Sequence, residues 1–143
     1  MRVLNKEDVL SRLNTNLTYQ ENDIILDSED ISSFSENRDF FVVSETCISD
    51  KNMALSSLTK IVVNDITKNG YELNGASSIL VHFELSEDYI YRLNSITEAM
   101  EIVHESSVTL DIRQETDVLF GVSFGSKLKD IKVTLYVAYI KSQ

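Results

Sequence analysis

The chain has 143 residues, room for one domain at about 150 residues per domain, and its 43% hydrophobic content is ordinary for a globular protein. Thirteen Lys and Arg against 23 Asp and Glu leave a net charge of −10, which argues against a nucleic-acid binder and against docking on an anionic membrane. Proline is absent and the four glycines are Gly70, Gly75, Gly121 and Gly125, so no Gly-rich phosphate-binding loop can be built.

Val3, Leu4, Val9, Leu10, Leu13 and Leu17 recur at helical spacing, with Asn5 and Asp8 available as caps. They predict a short amphipathic helix, an appendage to the body. Residues 18–22 are polar and read as a linker, so the expected organisation is an N-terminal helix and linker over 1–22 and a single domain over 23–143. The apolar trio Ile24, Ile25 and Leu26 leads into Asp27, Ser28, Glu29 and Asp30, where Asp27 or Ser28 caps a short helix running through Phe34. Phe40, Phe41, Val42 and Val43 predict a buried strand. Over residues 52–69, Leu55, Leu58, Ile61, Val62 and Ile66 fall on one helical face, and Gly70 stands where a C-terminal cap belongs.

A second strand alternates Ile79, Val81, Phe83 and Leu85 with Leu80, His82 and Glu84. Ser95 and Glu98 have the spacing of a capping box for a helix carrying Ile96, Ala99, Met100 and Val103. Residues 108–115 are open to either an extra strand or a longer helix. Two alternating runs, Val118 to Phe124 and Ile131 to Tyr139, predict final strands joined as a hairpin through residues 125–128. The expected fold is α+β, a mixed α/β sandwich with helices packed on a four-stranded mixed sheet.

Candidate chemistry is sparse. Asp27 and Asp30, three apart at a helix start, could position or deprotonate a water; the same acids also serve as ordinary caps that complement the helix dipole. An EF-hand is excluded, because no Gly stands at the sixth position from Asp27 and no acid at the twelfth. Cys47 is the only cysteine and reads as a small, partly buried hydrophobe. His82 reads as a satisfied surface or edge histidine, and His104 as a residue complementing a helix C-terminus. Tyr89 and Tyr91 beside Asp88 read as a solvated helix entry. No metal and no cofactor is expected. No apolar run approaches the roughly 20 residues of a membrane helix, and the first 14 residues lack a signal-peptide core, so the expected location is the cytoplasm.

Several strings, in colinear order, resemble the C-terminal half of the FtsZ/tubulin-like cell-division GTPase family. NGASSILVHF (74–83) resembles the family's strand of the type GA-(R/K)-G-(V/L)-L-(V/F)-N-I, and ITEAMEIVHE (96–105) is similar to its (V/I)-N-E-A-A-E-I-V helix. DVLFGVS (117–123) resembles A-N-I-I-F-G-(A/T), and KVTLYVA (132–138) resembles (R)-(I/V)-T-V-(I/V)-A-T. Upstream, IILDSEDI (24–31) is similar to the acidic loop (L)-I-N-x-D-x-x-D-(V/I). The coverage is about residues 23–140, with the first helix matching the end of the family's central helix.

In that family GTP binds the N-terminal half of one subunit, and the next subunit inserts the acidic loop, whose acids help position the attacking water. The resemblance implies that Asp27 and Asp30 are the two loop aspartates, acting only in trans, with Asp30 nearer the chemistry. Departures accompany it. Ile25 stands in place of the loop Asn, Ser44 and Glu45 replace a Gly-rich turn, and the stretch between His104 and Asp117 is longer than the pattern. The expectation is of a domain without the family's GTP-binding half and without its acidic tail.

The expected function is therefore protein–protein contact in bacterial cell division (septation) or a related filament system, by a domain that is not an enzyme alone. The expected partner is an FtsZ or FtsZ-like subunit, or a second copy of the chain, with no nucleic acid and no membrane. Two alternatives are the activating-loop half of a divergent FtsZ-like GTPase and a structural module that reuses the fold for self-association. Fold resemblance does not by itself transfer function.

Overall fold

In the computed structural model, which describes residues 1–17, 22–24, 28–49, 53–86, 93–108, 116–125 and 130–140, six strands form one mixed sheet with helices on both faces. In chain order the elements are β1 (Arg2–Leu4), α1 (Lys6–Leu17), β2 (Asn22–Ile24), α2 (Ser28–Ser35), β3 (Phe40–Ile48), α3 (Leu55–Lys68), β4 (Ser78–Ser86), α4 (Leu93–Ser107), β5 (Asp117–Gly125) and β6 (Ile131–Tyr139). The strand order is β1-β3-β6-β4-β5-β2. Only the β4–β5 pair is parallel, matching Ser78 with Asp117 and running to Ser86 with Gly125; the other ladders are antiparallel. The expected α+β class holds, and the four nine-residue strands β3 to β6 are its mixed sheet. The short strands β1 and β2 extend it at either edge.

Alternation along the strands sends side chains to two separate cores. On one face, Ile79, Val81, Phe83 and Leu85 of β4 meet Val133, Leu135 and Val137 of β6 beneath α3 and α4. Leu55, Leu58, Val62 and Ile66 supply the buried stripe of α3, and Ile96, Ala99, Met100 and Val103 that of α4. Thr59, fully buried in that stripe, donates its hydroxyl to the Leu55 carbonyl at 2.8 Å and so costs little. Ile61, expected on the same face, is 46% exposed. On the other face, Phe41, Val43, Leu80, Tyr136 and Ala138 pack against Val9 and Leu13 of α1 and Ile31 and Phe34 of α2.

The structure corrects several expectations. Val3 and Leu4 are not helical: they pair with Val42 and Phe41 at the edge of β3. The helix starts after Asn5, whose Oδ1 accepts the Asp8 N–H at 2.9 Å, so one of the two expected caps is in place. Ser95 is no cap, because α4 has already begun at Leu93; Glu98 instead accepts a 3.4 Å bond from Asn94. β5 and β6 do not form a hairpin. β4 lies between them, because β5 pairs parallel to β4 while β6 inserts between β3 and β4. Of the expected turn at 125–128, Gly125 ends β5 and residues 126–128 lie outside the described residues, as do most of the linker, Tyr89, Tyr91 and residues 109–115.

Gly70 follows α3 with φ of +94°, a conformation that a Cβ disfavours, and no neighbouring atom lies within 4 Å of where that Cβ would sit. Gly70→Ala should therefore cost only the backbone penalty of about 1–2 kcal/mol, measured as a lower urea midpoint with unchanged slope.

Candidate functional site

The acidic turn is built by the docking of α2. Ile31 and Phe34 are buried in the second core, and the Phe34 ring meets Phe41 at 5.7 Å. Ser78 donates its hydroxyl to the Phe34 carbonyl at 3.0 Å, tying the end of the helix to the start of β4. Asn37, with φ of 60°, takes the left-handed conformation just after the helix, one that Asn tolerates better than most side chains. This anchoring leaves the first turn, Glu29 and Asp30, at the rim: Glu29 is exposed and Asp30 half-buried. Asp27 and Ile25 lie outside the described residues.

A second polar group went unnoticed in the sequence. Above the apolar half of the second face, the strands place Glu45, Thr134, His82 and Gly121 in one cross-strand row and Cys47, Lys132, Glu84 and Ser123 in the next. His82 is not at a surface or an edge. It sits on β4, inside the sheet, 1% exposed, with Nε2 2.7 Å from the Ser123 hydroxyl. Burial, reinforced by the Lys132 charge, pulls its pKa down to about 4, so the ring is neutral at pH 7. Burial pushes the Glu84 carboxyl up, against the pull of Lys132.

Glu45 collects three cations: Arg12 at 3.0 Å, Lys132 at 3.3 Å and Arg2 at 3.5 Å. Burial works against its charge, but Lys132 and Arg12 outweigh that and hold its pKa below the usual value. The Arg12 guanidinium also lies 5.8 Å from the Tyr136 ring centroid. The sequence signal for this layer was the period-two run of polar residues at 82, 84 and 86 on β4, at 132 and 134 on β6, and at 45 and 47 on β3. Its pairing across strands could not be read before the strand order was known.

Cys47, expected to be partly buried, is exposed, and the partial desolvation of its sulfur, together with nearby Asp130, raises its thiol pKa. It is therefore poorly disposed to act as a nucleophile. His104 lies in the last turn of α4, as expected, and is exposed. Among the described residues, no three His, Cys, Asp or Glu are grouped to hold a metal, and no helix is long and apolar enough to cross a membrane. A groove of about 540 Å³ runs past Phe40, Tyr71, Glu72 and Tyr139. Its three rings lie 5.2–6.3 Å apart, centre to centre, which is packing contact between the rings themselves.

The structure places Asp30, half-buried, in the first turn of α2. No family model matches the sequence, and no curated protein matches it. Solved structures do. The chain is similar to FtsZ from M. jannaschii, in a structure of the empty dimer, with a TM-score of 0.66 and 16% identity, over 92% of this chain and 36% of that one. It is also similar to TubZ from Bacillus thuringiensis serovar israelensis, in GDP-form protofilaments, with a TM-score of 0.63 and 11% identity, over 94% of this chain and 35% of that one. The chain therefore has an FtsZ C-terminal-domain-like fold and spans about a third of the length of the FtsZ and TubZ chains it matches.

Proposed function

We propose that the chain acts by protein–protein contact in a filament system of the FtsZ type, in bacterial cell division or a related process in the cytoplasm. In this reading Asp27 and Asp30, the latter in the first turn of α2, dock on the nucleotide face of an FtsZ or FtsZ-like subunit. The observation that carries it is the fold, shared with part of chains whose structures are described as a dimer and as protofilaments. The rim position of Asp30 on a helix anchored from below supports it further. The chain is not a GTPase alone in this reading, since phosphoryl transfer needs phosphate positioning and charge stabilisation, and the sequence offers no Gly-rich loop to supply them. At most it completes a GTPase site in trans.

The test is GTP hydrolysis and sedimentation of the host organism's FtsZ with and without the chain. Wild-type protein should change the rate or the pelleted fraction. Where it accelerates hydrolysis, Asp30→Ala should lose most of that acceleration, since a positioned acid or base contributes about 10²–10⁴-fold. Inhibition that survives Asp30→Ala would place the chain at filament ends as a cap. No effect in large excess over FtsZ would sink the reading.

A further inference from the structure

An aromatic wall and an unpaired carboxylate meet at the groove beside the end of β6. The Phe40 and Tyr139 rings stack there, with centroids 5.2 Å apart and planes 15° from parallel. Tyr71 tilts against both, at 6.3 and 5.9 Å. The Tyr139 hydroxyl donates to the Glu72 carbonyl at 2.9 Å, and the Gly75 N–H donates to the same oxygen at 3.3 Å. These bonds fix both the wall and the backbone that carries Glu72. Phe40 and Tyr71 are only half-buried, so part of each ring stays open to the groove. Burial, reinforced by Tyr71 and Glu72, pushes the Tyr139 phenol up to about 12, so the wall is uncharged at pH 7.

Glu72 is exposed and makes no ion pair among the described residues, whereas Glu45 gathers three cations. Asp39, also exposed, adjoins it: its N–H donates to the Tyr139 carbonyl at 2.9 Å. The nearby cations are turned elsewhere. The Arg38 guanidinium donates to the Glu36 carbonyl at 3.0 Å and to the Ser78 hydroxyl at 3.4 Å, and Lys68 lines a different groove with Ser44 and Asp65. Ile140, 55% exposed, adds an apolar rim. Gly75 leaves the groove open, since nothing lies within 4 Å of where its Cβ would sit. Open ring faces beside a free carboxylate suit a cation. A hard metal ion takes about six oxygens, and one carboxylate does not supply them. A planar guanidinium uses both parts of the site, stacking on a ring while its N–H groups reach the carboxylate.

We propose that this groove docks an arginine of a partner protein, its guanidinium stacked on Phe40 or Tyr71 and paired with Glu72, with an apolar residue beside that arginine resting on Ile140. The chain's net charge of −10 draws such a basic segment toward it. The contact uses no residue of the α2 turn and requires no FtsZ, so its failure and that of the docking reading are separate outcomes.

The probe is an Arg-Leu dipeptide, acetylated and amidated at its ends, titrated into the isotope-labelled chain and followed by the NMR shifts of its amides. Saturable shifts should gather at residues 70–75 and at Ile140. A citrulline-Leu dipeptide, of the same shape without the charge, should bind about five- to tenfold more weakly. Glu72→Gln should lose a similar factor, and Gly75→Leu, whose side chain fills the groove, should abolish binding. Circular dichroism checks that both variants are folded. Glu72→Gln changes only an exposed side chain, so it decides the matter if Gly75→Leu does not fold. The proposal is overturned by the absence of saturable shifts, by equal affinity for the citrulline or a Lys-Leu dipeptide, or by undiminished affinity in Glu72→Gln. Shifts centred on the exposed Glu98, Glu101 and Glu105 of α4 would overturn it too, as general attraction to an acidic surface.

Discussion

Leu13→Ala should destabilise the folded chain by about 2–5 kcal/mol, the range for emptying a leucine-sized space in a packed core. Leu13 is fully buried, and with Val9 it fills the second core against Phe34, Phe41, Leu80 and Tyr136. The helix is held from other sides too. β1, just before it, is paired with β3, and Arg12 reaches from it to Glu45 and Tyr136. Urea unfolding should show the loss as a lower midpoint at unchanged slope. A change below about 0.5 kcal/mol, the scale of a surface substitution, would make α1 the appendage that its sequence suggested. A cost in the expected range makes it one wall of the fold, holding the face on which α2 and its acidic turn rest.

What was legible in the sequence follows from what local pattern encodes. α3 was legible, three residues too long at its start and with Ile61 misplaced, because one stripe of Leu55, Leu58, Val62 and Ile66 is buried and Gly70 ends it. The four long strands were legible because each alternates or is uniformly apolar. The same rule misled at Val3 and Leu4. Three residues carry too little periodicity to separate a strand from a helix start, and pairing with β3, which decides the matter, is non-local. The order of β5 and β6 was misread for the same reason. Adjacent strands in sequence suggest a hairpin, but β6 is drawn between β3 and β4, where both its faces are buried.

The candidate site divides in a similar way. Asp27 and Asp30 were singled out by their spacing at a helix start, which could not separate a water-positioning pair from helix capping, and only the colinear resemblance gave them a role. The layer of His82, Glu84, Lys132 and Glu45 was missed because its members come from three strands that become neighbours only in the folded sheet. His82 shows the point most clearly. Flanked by Val81 and Phe83 it resembled an edge residue, yet β4 has a long strand on either side and the ring is almost wholly enclosed.

That enclosure gives the second large effect, a loss of stability on mild acidification. The unfolded chain takes up a proton on His82 near the ordinary value of 6.5, whereas the folded chain resists it until about pH 4. With the folded pKa depressed, the stabilisation is complete above pH 6.5 and is lost as pH falls from there toward 4, by about 3 kcal/mol in all. The other groups facing the ring act differently. Lys132 remains charged throughout. Glu84, pushed up by burial, is relieved when it protonates, while Glu45, held below 4.5 by Lys132 and Arg12, retains its stabilising charge until the pH drops below that value. Protonation of Glu84 thus works against the fall, so a loss of stability that sets in near pH 6.5 belongs to His82. Urea midpoints measured from pH 7 to pH 5 should decline steadily in the wild type and much less in His82→Gln, whose amide can still reach the Ser123 hydroxyl. A flat wild-type profile would mean that the ring takes up its proton without leaving its place in the sheet, and the same slope in the variant would assign the loss to other groups.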